Sequence, residues 1–174
     1  RLRKELEPGR AARAEPVVLR REPAGYRLDL LPADVDSARL RLAAPELRAS
    51  ASAGRAGEVL RDATAVLDLW RGEPYAQVPD TGWLGAARHQ LTAARLDVAG
   101  LRVQALLDLG RPEEAVGALA PLIADHPLHE RLWALQMTGL YRSGRPADAL
   151  AAYGRARAVL RTTAASSRVP PPPA

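Results

Sequence analysis

The sequence predicts an all-α protein built as a tandem array of helical hairpins. Three observations carry that expectation. The tripeptide Gly-Arg-x occurs at Gly54-Arg55-Ala56, Gly110-Arg111-Pro112 and Gly144-Arg145-Pro146, the last two 34 residues apart. Each is followed by apolar residues at i, i+1, i+4 and i+7, which fall on one face of a helix: Val59, Leu60, Ala63, Val66 and Leu67; Ala115, Val116, Leu119, Leu122 and Ile123; Ala149, Leu150, Tyr153 and Ala156. With no Phe and 4% aromatic residues, the core must come from Leu, Val and Ala, which suits close-packed helices better than a sheet.

In chain order, Arg1 to Glu7 reads as a helix end stopped by Pro8-Gly9. The chain opens at Arg1 and not at Met, so the expectation is a piece of a longer protein. Val17 to Arg20 and Tyr26 to Leu30 favour strands, predicting a β-hairpin with Arg20 and Arg21 at its tip and no room for a core of its own. A helical pair follows at Val35 to Ser52 and Gly57 to Trp70. Pro45 lies inside its first member, which predicts a bend. Residues 71–82 carry two prolines and two glycines and read as a loop.

A long helix from Trp83 to Leu109 comes next. Gly110 to Pro112 then makes a tight turn, because Gly enters the left-handed region cheaply and Pro presets φ where a helix begins. The same punctuation recurs after a helix from Leu128 to Ser143, whose apolar face holds Leu132, Leu135, Met137 and Leu140. Pro127 separates the two units. At the end, Ser166 to Val169 runs into Pro170 to Pro173, a polyproline spacer expected to lead to a further domain. A 34-residue helical hairpin has the period of the tetratricopeptide repeat, and Trp133, Gly144, Ala149, Tyr153 and Ala156 fit that repeat's preference for aromatic, Gly, Ala, aromatic and Ala. The preceding unit is similar through Ala115 and Pro127.

Charge narrows the functional classes. The net charge is +5, yet residues 31–160 hold fifteen arginines and fifteen acids. Residues 1–30 hold eight basic side chains against five acids. Affinity for nucleic acid comes largely from phosphate neutralisation, so contacts with DNA would sit in the first thirty residues. Zero cysteines exclude disulfides, thiolate metal sites and a cysteine nucleophile. No apolar run is long enough for a membrane span, and no membrane partner is expected. Lys4 is the only lysine, which argues against a phosphate-binding Gly-rich loop. His126 and His129 have a metal-like spacing but flank Pro127, where a polar turn is the favoured reading. His89 stands alone, and Glu113-Glu114 complements a helix dipole. No catalytic constellation, metal or cofactor is expected.

Leu2-Arg3-Lys4-Glu5-Leu6-Glu7 and Leu19-Arg20-Arg21-Glu22-Pro23-Ala24-Gly25-Tyr26-Arg27-Leu28 resemble the end of an OmpR-type winged helix–turn–helix domain, its recognition-helix end and hairpin wing. Leu31-Pro32-Ala33-Asp34-Val35-Asp36-Ser37-Ala38-Arg39 and Leu69-Trp70-Arg71-Gly72-Glu73-Pro74-Tyr75 look like the bacterial transcriptional activator domain. Together they resemble SARP-type (AfsR-like) regulators, activators of antibiotic and secondary-metabolite genes. The resemblance implies a division into residues 1–31 (winged-helix remnant), 32–162 (activator domain) and 163–174 (Pro-rich linker). It implies a cytoplasmic, non-enzymatic activator with promoter DNA, RNA polymerase and its own protomers as partners. On that reading Arg1, Arg3, Lys4, Arg20 and Arg21 contact DNA. Trp70 and Trp83, flanking the loop, are candidates for partner binding, with core packing as their other reading, whereas Trp133 is expected in the core. The competing reading is a tetratricopeptide-like adaptor that binds a peptide or small ligand and ignores DNA.

Overall fold

Each Gly-Arg-x tripeptide reverses the chain by the same set of bonds. Gly54, Gly110 and Gly144 take φ of 73°, 72° and 73°, a region where a side chain costs roughly 1–2 kcal/mol. The amides of Arg55, Arg111 and Arg145 then donate to the carbonyls of Ser50, Leu106 and Leu140 at 3.0, 2.9 and 2.9 Å. These bonds satisfy acceptors that the ending helix leaves over. The arginine side chains complete the turn: Arg55 donates to Glu58 at 2.9 Å, Arg111 to Glu114 at 2.6 Å and Arg145 to Asp148 at 2.7 Å. The repeated unit is therefore Gly-Arg-x-x-acid, and its acid also lies in the first turn of the next helix, where the dipole favours negative charge.

The computed structural model describes residues 5–9, 11, 14–79 and 82–166, with the backbone alone for 163–166. Six long helices lie among them: α1 (Asp36–Ser52), α2 (Ala56–Leu67), α3 (Leu84–Asp108), α4 (Pro112–Asp125), α5 (Glu130–Arg142) and α6 (Pro146–Ser166). Ahead of them stand strands β1 (Leu19–Glu22) and β2 (Gly25–Leu28), an antiparallel pair, and a short 3-10 turn at Pro32–Asp34. The chain forms two compact units, Arg1–Arg39 and Leu40–Ala174. The Pro-rich stretch from residue 167 lies outside the described residues.

Within the helical unit, α3 is the shared element. One of its faces, with Leu91, Val98, Leu101 and Ala105, packs on α1 and α2 through Leu40, Leu47, Val59 and Ala63. Another, with Leu96, Val103, Leu106 and Leu107, packs on Ala115 and Leu119 of α4 and on Leu132 and Leu135 of α5. Trp133 and Leu140 of α5 then close a third cluster with Ala152 and Ala156 of α6. Trp133 is buried as expected, and its indole donates to the carbonyl of Pro127 at 2.8 Å. Close approach needs small residues: a Cβ on Gly139 of α5 would stand 2.8 Å from Val116 Cγ2 of α4.

Two expectations are corrected. Arg20 and Arg21 are not at the hairpin tip: they lie within β1, because Pro23 and Ala24 alone make the turn between Glu22 and Gly25. Gly25, with φ of 142°, allows that tightness. Leu150 and Tyr153 do not face the core. The buried stripe of α6 is Ala149, Ala152 and Ala156, at i, i+3 and i+7, and Leu150 is 75% exposed. Pro45 lies inside α1, as the sequence places it, and is exposed, whereas Leu40, Ala44 and Leu47 are buried.

These faces predict a contrast in urea unfolding. Leu119 is 0% exposed, so Leu119→Ala should cost about 2–5 kcal/mol. Leu150→Ala should stay within about 0.5 kcal/mol of the parent. Equal losses would contradict the assignment.

Candidate nucleic-acid and partner surfaces

The pairing of β1 with β2 sorts the hairpin's side chains onto two faces. Arg20 opposes Arg27 and Arg21 opposes Tyr26; because successive residues of a strand alternate sides, the two arginine candidates point to opposite faces. One face is an ion network. Arg27 Nε and Nη2 donate to the two carboxylate oxygens of Asp29 at 2.7 and 2.9 Å, and Arg27 Nη1 donates to Glu22 at 2.8 Å. Arg20 Nε reaches the same Asp29 at 2.9 Å. Two arginines and two acids leave that face neutral. Sequence reading missed Arg27 as the hub, since its role rests on register and on a bidentate fork that Lys does not offer.

The other face carries Arg21 beside Tyr26, which is 68% exposed. Among the described residues Arg21 makes no ion pair, so its charge is available to an anion. Val17 and Val18 are tied back to the Glu7 carboxylate, which accepts both amides. Arg1, Arg3 and Lys4 lie outside the described residues.

Arg88 ties down the loop before α3. Arg88 donates from Nε to the carbonyl of Pro74 at 3.0 Å and from Nη2 to that of Tyr75 at 3.1 Å, with Glu73 3.7 Å away. Tyr75 takes φ of 57°, unusual for a non-glycine residue. Held there, its ring meets Trp83 edge-on, with centroids 6.1 Å apart and planes at 74°. Trp83 is 58% exposed. Trp70 behaves differently: it packs on the first core cluster, and the Arg95 guanidinium covers its ring at 4.8 Å from the centroid. The two tryptophans grouped by their position in sequence therefore separate into a packing residue and a displayed one. Tyr75, which joins Trp83, gave no signal beyond being aromatic in a loop. His126 and His129 bracket the turn between α4 and α5, where the amide of His129 donates to the carbonyl of His126 at 3.1 Å.

The family described as Bacterial transcriptional activator domain matches residues 35–167. The chain belongs to that family. It is 42% identical over 164 residues to Regulatory protein AfsR of Streptomyces coelicolor, covering 92% of this chain and 15% of that protein. It is 35% identical to Regulatory protein DnrI of Streptomyces peucetius, over 82% of this chain and 53% of DnrI. A solved structure described as Mycobacterium tuberculosis EmbR in complex with low affinity phosphopeptide superposes with a TM-score of 0.79 at 31% identity, over 91% of this chain and 41% of that one. The chain thus spans about half of DnrI and a smaller part of AfsR. Residues 35–174 alone cannot make up 92% of the chain, so the AfsR likeness extends into the hairpin segment. The AfsR-like resemblance read from the motifs holds, and the helical array is the activator-domain fold. Trp70 and Trp83 fall inside the family match; Arg20 and Arg21 fall before it. No helix of the described residues is long and apolar enough to cross a membrane.

The ion network sets a pH dependence. Hydrogen bonds from Arg27 hold the Asp29 carboxyl below its ordinary value. A folded pKa below the unfolded one, about 3.9 for Asp, means the pair contributes stability above that pH and loses it as pH falls through the lowered folded value. An NMR titration should find the Asp29 midpoint below that of an unfolded Asp, and Arg27→Ala should raise it. A midpoint insensitive to Arg27→Ala contradicts the network.

Proposed function

We propose that this chain is the wing and helical regulatory part of a SARP-type transcriptional activator of secondary-metabolite genes. One observation carries the reading: the likeness to AfsR is continuous across the charged hairpin and the helical array. In this reading the complete winged helix binds promoter DNA in the bacterial cytoplasm. Arg1, Arg3 and Lys4 lie at the end of its recognition helix, where such helices approach phosphates and base edges. Arg21 supplies a guanidinium from the outer face of the wing, suited to a phosphate or a narrow minor groove. Arg20 braces the wing through its ion pair with Asp29. In this reading residues 1–31 belong to that domain, 32–162 form the regulatory array and 163–174 are a Pro-rich linker.

The array's task is protein contact, with neighbouring protomers and with RNA polymerase. The Tyr75–Trp83 pair supports this, because exposed aromatics on a rigid base have the composition of interface hot spots. Arg88 holds the Tyr75 backbone, and the Tyr75 ring meets Trp83, which would reduce the ordering required on binding. The role is binding, with no catalytic step.

The test uses the full-length regulator and duplex DNA carrying its promoter repeat, followed by fluorescence anisotropy over a range of salt. Arg21→Ala should flatten the log K against log salt slope by about 0.9 for each phosphate that the protein no longer neutralises. An unchanged slope removes the wing from the interface. Trp83→Ala should leave promoter affinity unchanged while lowering transcription in a purified polymerase assay. If a folded full-length protein shows no specific DNA binding, the adaptor reading replaces this one.

A further inference from the structure

The last hairpin leaves an open groove of about 640 Å³ between α5 and α6. Its floor is formed by Trp133, Met137, Tyr153 and Leu160, and its rim by Arg131, Arg157 and Arg161, with Glu130 as the one carboxylate of the lining. One helical turn further on, Tyr141 and Leu150 are exposed as well. The open side of this hairpin is an apolar trough bordered by positive charge.

Most other arginines of the helical unit hold a partner, although Arg155, like those of the rim, has none among the described residues. Arg48 pairs with Asp97, Arg61 with Asp62, Arg88 with Glu73, and the three turn arginines with their own acids. Arg131, Arg157 and Arg161 make no hydrogen bond or ion pair among the described residues. The Arg131 guanidinium lies against Gly100 of α3, 3.6 Å from where a Cβ would stand there. Cations beside an apolar floor complement a ligand that is apolar on one face and anionic along its edges. An amphipathic helix with Leu-type residues at i, i+3, i+4 and i+7 and Glu or Asp on its flanks has that form.

We propose that this groove docks an acidic amphipathic helix of a partner protein. Two other occupants fit the charge less well. A second copy meeting this face through a two-fold axis would set the same arginines against one another. Residues 167–174 carry Arg168 and no acidic side chain, so they do not complement the rim. The proposal uses the fold and charges of the activator domain alone and stands apart from the DNA reading.

The probe is a dye-labelled peptide of roughly five helical turns, Leu on one face and Glu on its flanks, with a counterpart carrying Lys on the flanks. Both are titrated with the 174-residue chain by fluorescence anisotropy. The Glu peptide should bind saturably and the Lys peptide should not. Arg157→Glu with Arg161→Glu should weaken the Glu peptide about tenfold or more, and the same double variant should bind the Lys peptide better than the parent does. That exchange of preference would not follow from misfolding, and circular dichroism of the variant should match the parent. No saturable binding of the Glu peptide, or equal binding of both peptides, overturns the proposal. So does a concentration-dependent dimer of the parent that Leu150→Glu abolishes, since the groove then belongs to a second copy.

Discussion

The architecture of the helical unit depends on one backbone constraint: a glycine in the left-handed region at the end of each hairpin's first helix. Gly54, Gly110 and Gly144 occupy that region within a degree of one another. The conformation points the following arginine amide back at the helix just finished and its side chain forward over the helix about to start. A single residue thus closes one helix, caps the next and fixes their antiparallel course. Once the hairpins are set, Gly139 can approach Val116 closely and α3 can serve two cores at once.

That construction decides what the arginines are for. The chain has 25 basic residues and a single lysine. Arginine's planar fork suits it to bridging jobs: the three turns, the pair of carbonyls held by Arg88, the Asp29 network, the cover over Trp70. Charges used this way contribute little field outside the molecule. Among the arginines without a partner in the described residues are Arg21 on the outer face of the hairpin and the three at the rim of the last groove. Composition alone overstates the cationic surface; the pairing identifies where it remains.

The helices were legible in the sequence because their boundaries rest on local chemistry, Gly for a positive φ and Pro for a helix start. Burial was less legible. Leu150 and Tyr153 continue the apolar pattern of α6, and only the position of α5 reveals that Ala149, Ala152 and Ala156 face inward. Of the candidate site, the arginines and tryptophans were visible but their division was not. Arg20 and Arg21 are adjacent in sequence, and a two-residue turn, shorter than expected, places them inside a strand and on opposite faces. Trp70 and Trp83 differ because Arg95 covers one ring while Arg88 holds a tyrosine against the other. The positive φ of Tyr75 has no sequence signature.

The constraint can be isolated with two glycines of α4 and its leading turn. Neither Gly110 nor Gly117 has a neighbour within 4 Å of where a Cβ would stand, but Gly110 has φ of 72° and Gly117 is helical. Packing is therefore matched and backbone conformation differs. Urea unfolding should show Gly110→Ala losing about 1–2 kcal/mol and Gly117→Ala gaining about 0.5–1 kcal/mol. Equal shifts in the same direction, or a neutral Gly110→Ala, would contradict the claim that the left-handed turn sets the hairpins.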